Sequence, residues 1–262
     1  RKRSVSKLRS KFKAVLANAG AAFFFRVAAT LCTLGLPGGD DMTFSVLKLM
    51  LAQDVNRSDK ETIWYPIWIN RALRRIQMSA NFSGMKQRLA YTIPSGQSSV
   101  LLGAQFKELT PEVSPVTIVD PSLPAGSQEV PCEVSSREAL TSYRASTNVA
   151  MTPPSVPGRV SVFIENTSAG WTLNVNFVTD TALNFKVSHF RFVDELVNNT
   201  DTNFLLKDYP ELVESKLKAI AFAALNDPLT SSFEALAAGQ LSEAVITDHR
   251  RQNRGRALRM GG

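Results

Sequence analysis

Two histidines, His189 and His249, and two cysteines, Cys32 and Cys132, are the whole stock of imidazole and thiol in this 262-residue chain. A structural zinc site takes four ligands, mostly Cys and His, so the chain is poorly supplied for one. Two cysteines do not make a disulfide framework. Cys132 follows Pro131 in a turn-rich stretch, and with so few histidines a base partner for a catalytic thiol is scarce. His189 falls among alternating strand-type residues and reads as a structural or half-exposed histidine. Asp194-Glu195 reads as surface charge and not as an acid–base pair. The glycine-rich run Leu34-Gly35-Leu36-Pro37-Gly38-Gly39 lacks the Lys-Ser/Thr of a phosphate loop. Neither HExxH nor GxSxG occurs. The expectation is a protein that is not an enzyme and uses no cofactor or metal.

What the chain does have is charge, unevenly spread. Its net charge is +7. Residues 1–41 carry eight Lys/Arg against two Asp, and residues 249–262 carry five Arg and no acid, which leaves 42–248 at −4. A mildly acidic body with two basic ends points to ends that meet something acidic: DNA, an anionic membrane or an acidic protein surface.

The first segment pairs a basic start, RKRSVSKLRSKFK, with an apolar stretch from Ala14 to Leu36 interrupted by Arg26. Its length approaches that of a spanning helix, but Arg26 at the bilayer centre costs roughly 2.5–3.5 kcal/mol on insertion scales. Three readings stay open: a targeting sequence, an arm that orders only on a partner, or upstream sequence with Met42 as the natural start. Gly38-Gly39-Asp40-Asp41 marks a break before a well-patterned segment.

The elements that would position any surface alternate in texture along the body. Phe44, Leu47, Met50 and Leu51 have helical spacing from Thr43 onward. Ser58-Asp59-Lys60-Glu61 fits a capping box for a second helix, with Ile63, Trp64, Ile67, Trp68, Leu73 and Ile76 as its apolar face, Pro66 in the first turns, and Arg71, Arg74 and Arg75 on the other side. From Ser79 to Asn199, alternation and turn residues take over, which suits six to eight strands. Val160, Val162, Ile164 and then Trp171, Leu173, Val175, Phe177 around a polar loop ending in Gly170 give the best hairpin signal. Leu183, Phe185, Val187 shift phase to Phe190 and Phe192, which predicts a bulge at Ser188-His189. Asp201-Thr202-Asn203 precedes a short helical turn, Pro210 opens a longer helix ended by Asn226-Asp227-Pro228, and a last helix is expected over 229–247.

The expected fold class is therefore α+β. A helical bundle is built from 42–80 and 200–248, with an antiparallel β-sandwich or partly open barrel, 81–199, inserted between them. The extension 1–41 and a basic arm 249–262 flank it.

Residues 201–227, DTNFLLKDYPELVESKLKAIAFAALND, resemble the C-terminal helical signature of tailed-bacteriophage head-to-tail adaptor proteins. The matching positions are Asn203, Leu205-Leu206, Pro210-Glu211-Leu212, Ala219 to Ala224 and Asp227, with Phe233 where the next helix places an aromatic. Met42-Thr43-Phe44 and Trp68-Ile69-Asn70-Arg71-Ala72 are similar to the family's start, and the likeness covers about 42–248. The resemblance implies a virion protein of the neck: a ring, typically of twelve copies, under the portal protein. Such a ring extends the DNA channel, without sequence-specific binding, and docks the next neck or tail protein. On this reading Arg250, Arg251, Arg254, Arg256 and Arg259 form an arm that reaches the portal, and no membrane is involved. Two rivals rest on the same charges: a nucleic-acid-binding protein acting through its basic ends, and a membrane-anchored protein using 14–36.

Overall fold

The structure is a computed structural model that describes residues 42–55, 60, 62–136, 160–175 and 181–257, without the side chains of 253–257. Residues from Thr43 onward form one compact unit. Among the described residues the order is two helices, α1 (Phe44–Val55) and α2 (Trp64–Ser79), then nine strands, then α3 (Phe204–Asp208), α4 (Pro210–Ala224) and α5 (Thr230–Ala257). The chain is thus α+β. Asn56 to Asp59 and Glu61, and with them most of the expected capping box, lie outside the described residues.

The first helix is started by groups far from it in sequence, the later ones by their own neighbours. The first amides of α1, on Phe44 and Ser45, donate to the carbonyls of Asp201 and Asn199 at 3.0 and 3.1 Å. This satisfies donors that a helix cannot satisfy itself. Asn203 caps α3, its side-chain oxygen accepting from the Leu206 amide at 3.1 Å. Pro210 stands at the first position of α4, where its missing amide costs nothing. Asn226 then takes a left-handed conformation, φ 55°, and the Asp227 amide reaches back to Phe222 at 2.9 Å to close α4. α4 is the hub, packed against α1, α2, α3 and α5, and it buries residues almost all round, from Leu212 and Val213 to Lys218 and Phe222.

The strands are β1 (Lys86–Ile93), β2 (Ser99–Gly103), β3 (Phe106–Leu109), β4 (Val116–Val119), β5 (Glu129–Pro131), β6 (Glu133–Val134), β7 (Ser161–Thr167), β8 (Gly170–Val175) and β9 (Leu183–Arg191). One sheet runs β1-β9-β4-β5 with β3 also on β9; the other runs β2-β8-β7-β6. Pairing is antiparallel except β6 with β7. Ile93, Phe106, Val116 and Phe185 of the first sheet bury into one cluster with Leu102, Val162, Leu173 and Val175 of the second. The expected hairpin is β7–β8, paired from Val162↔Val175 to Thr167↔Gly170. Among the described residues the strands form these two sheets and no barrel, so the barrel alternative falls.

The expected bulge at Ser188-His189 is not there. β9 pairs with β1 without a shift from Ile93↔Leu183 to Lys86↔Phe190. The irregularity lies in another of its partners, β3, between Phe106 and Glu108. The apolar phase changes because Val187, Ser188, His189 and Phe190 are all buried, so both faces of the strand are covered there. His189 stacks on Phe106, with ring centroids 5.2 Å apart, and burial holds its pKa below the ordinary histidine value.

The chain crosses between the sheets at Cys132. Val130 pairs with Ile118 in the first sheet, and two residues beyond Cys132, Val134 pairs with Val162 in the second. Burial pushes the Cys132 thiol up to about 12, so it is an inert, protonated core group.

The join between helices and strands is tight. A Cβ built on Gly84, in the short 3-10 turn Ser83–Met85, falls 2.5 Å from Cγ and Cδ2 of the Phe204 ring. These atoms sit near the root of that side chain and cannot swing away. Gly84→Ala is expected to lower stability by about 1–3 kcal/mol, the usual cost of overpacking, read as a lower midpoint in denaturant.

Candidate interaction surfaces

The resembling residues of 201–233 fall on α3, α4 and α5, while Phe44 and Trp68 to Ala72 lie on α1 and α2. Leu205, Leu206 and Leu212 are buried. Asn203 and Pro210 start helices, and Glu211 lies exposed in the first turn of α4, where a negative charge suits the helix dipole. Asp227 opens α5: its carboxylate accepts from the Leu229 amide at 2.8 Å, and its carbonyl accepts from the Thr230 hydroxyl at 2.7 Å. These are positions that build helices. Their chemistry is capping and burial.

The expected break at 248/249 falls inside a helix. α5 has 28 residues and continues to Ala257, about 42 Å at 1.5 Å per residue. Residues 248–257 contain no proline, and Gln252 donates to the Asp248 carboxylate one turn back at 2.8 Å, so nothing stops the helix at Thr247. Arg250 and Arg251 are therefore exposed helical residues. Arg251 lies 3.2 Å from the Asp208 carboxylate, with its guanidinium over the Tyr209 ring at 5.9 Å. Arg254 and Arg256 belong to the last turns of α5, and Arg259 lies outside the described residues.

Asp248 fixes this end of α5. The carboxylate is buried and accepts from the Ser83 amide at 2.8 Å, the Ser83 hydroxyl at 2.5 Å and the Tyr209 hydroxyl at 3.2 Å, besides Gln252. Burial and the Asp248 charge push the Tyr209 hydroxyl up to about 12, which keeps it a donor.

The outer face of α2 differs most from its sequence reading. Tyr65, Trp68, Ile69, Ala72, Leu73 and Ile76 are buried, whereas Ile63, Trp64 and Ile67 are 65%, 45% and 49% exposed. Trp64, Ile67, Arg71, Arg74, Arg75 and Met78 fall on one exposed stripe at i, i+3, i+4 spacing. Two contacts set this stripe against the segment after β9. Asn70 donates to the Leu196 carbonyl at 3.0 Å and accepts from its amide at 2.9 Å, and the Gln77 side chain accepts from the Val193 amide at 2.6 Å. The Arg74 guanidinium lies 3.3 Å from the centre of the Phe192 ring. At the helix end, Lys107 donates to the carbonyls of Gln77 and Ala80 at 2.5 and 2.9 Å, and burial lowers its pKa. The result is an open groove of about 890 Å³ between α1, α2 and residues 195–197. Arg71, Arg74 and Arg75 line it, with Glu195 on the facing segment.

Among the described residues, no group of three or more His, Cys, Asp or Glu is placed to hold a metal ion, and no helix is long and apolar enough to cross a membrane. The apolar stretch 14–36 lies outside the described residues. The chain matches no protein-family model and no curated protein.

Proposed function

We propose that this chain is a structural subunit of the neck of a tailed bacteriophage. In this reading it is a head-to-tail adaptor that forms a ring under the portal protein, extends the DNA channel and receives the next neck or tail protein. The observation that carries the reading is the placement of the resembling residues. Asn203, Pro210 and Asp227 each begin a helix of a single hub, and Leu205, Leu206 and Leu212 fill its interior. In this reading the helices make one bundle, supported by the packing of α4 on α1 and α2, and the strands make a sandwich inserted into it, supported by the core cluster that the two sheets share. Twelve copies is the number the resemblance implies. The basic end of α5, with Arg250 and Arg251 exposed, is the part that would reach the portal. DNA passes through the ring without being read.

The test is electron microscopy of the full chain, alone and with the portal protein from the same source. Rings stacked on the portal are expected. A chain that stays monomeric and unbound in both samples would remove this reading and return attention to the charged ends.

A further inference from the structure

We infer that the outer face of α2 is the cationic half of a head-to-tail contact between copies of this chain, seating the acidic part of the neighbouring copy. The inference rests on the ring reading above and names the face that would build the ring.

The face has the composition of an interface centre. Trp64, Ile67 and Met78 are 45%, 49% and 66% exposed, and Arg71, Arg74 and Arg75 lie exposed between them. Aromatic residues, Met and Arg are the types that concentrate where proteins meet, and Trp and Arg dominate the binding energy there. Three large apolar side chains beside an open groove are not needed to cover the core beneath them, because Tyr65, Trp68, Ile69 and Ile76 already do so.

Charge selects the occupant. Residues 1–80 carry 14 Lys/Arg against five Asp/Glu, a balance of +9; residues 81–248 carry 11 against 18, a balance of −7; residues 249–262 carry +5. The chain's own basic ends are therefore repelled by Arg71, Arg74 and Arg75. The acidic stretch 81–248 is complementary, and every further copy supplies it at equal concentration. Charge also selects the symmetry. A two-fold contact sets a patch against itself, which here would oppose Arg to Arg. The α2 face must meet a different face of its neighbour. Such a contact repeats in one direction and either closes into a ring or runs on as a filament.

The test compares the wild-type full chain with Arg71→Glu/Arg75→Glu and, separately, Ile67→Ser/Met78→Ser, by mass photometry and electron microscopy, with and without the portal protein. All four positions are exposed, so circular dichroism and the denaturation midpoint should not change. If the glutamates disturb folding, Arg71→Gln/Arg75→Gln replaces them. The expected result is that both variants need at least tenfold more protein to assemble, and that raised salt weakens wild-type assembly. Variants that form rings as readily as wild type would overturn the inference while leaving the ring reading intact. Rings that form but no longer stack on the portal would also overturn it, by giving the face to the portal. A wild-type chain that never assembles would remove the ring reading and this inference together.

Discussion

Lys218→Met is expected to lower stability by about 3–5 kcal/mol at neutral pH, the usual cost of stripping one partner from a buried ion cluster. Lys218 is 5% exposed. Its ammonium lies 2.7 Å from the Glu214 carboxylate and 3.0 Å from Asp54, and 5.7 Å from the centre of the Phe233 ring. It thus ties α4 to α1 while sitting against α5. Methionine keeps the volume and leaves two carboxylates facing each other without a cation. Burial already holds the Glu214 pKa above its ordinary value, with Lys218 pulling the other way, so losing the lysine raises it further. A carboxyl with a raised folded-state pKa binds its proton more tightly folded than unfolded. Stability then falls as pH rises from the unfolded pKa through the folded one. The variant's deficit should accordingly be smaller at pH 5 than at pH 8, measured by urea denaturation of both proteins at each pH. Equal deficits would mean that the loss comes from packing and not from stranded charge.

Asp248→Ala should cost about 2–4 kcal/mol, given that bonds to a charged acceptor are worth roughly 1.5–3 kcal/mol each and are not additive. The lost carboxylate serves Ser83 through both its amide and its hydroxyl, and also Tyr209 and Gln252. Asp248→Asn keeps one acceptor oxygen and should lose less. Hydrogen exchange gives the sharper readout: amides of α5 beyond Ala244 should exchange faster in Asp248→Ala, while those near Ala237, buried against the rest of the unit, keep their protection. Unchanged exchange across 245–252 would show that the helix end is held by something else.

The parts legible in the sequence were those with a local cause. The β7–β8 hairpin announces itself by alternation and a glycine at 170, where φ is +116°. α3 and α4 are announced by Asn203 and Pro210, whose capping and φ preferences act within one turn. The misreadings have distant causes. In α2, hydrophobic periodicity alone could not tell the buried face of Tyr65, Ile69 and Ala72 from the exposed one of Trp64 and Ile67, because both are apolar. The extra turns of α5 rest on Asp248 binding a serine 165 positions earlier. The Lys218 cluster is local only in part: Glu214 stands one turn before Lys218, but Asp54 lies on another helix. The exposed arginines of α2 were visible as a charged face. Their company of Trp64, Ile67 and Met78 was not.

The starting amides of α1 and the inner face of α2 are served by residues that follow the whole β region, Asn199 and Asp201 for the one and α4 for the other. On a ribosome this sets an order of events. Between synthesis of Ser79 and of Ala224, at 5–20 residues per second, about 7–30 seconds pass. The strands can condense in that interval, but α2, with Tyr65, Trp68, Ile69 and Ile76 buried in the finished fold, lacks its main helical neighbour until α4 emerges. The helical part is the last to close, although α1 and α2 are made before the strands, and a nascent chain stalled in the β region exposes a sticky aromatic helix to chaperones and to other chains.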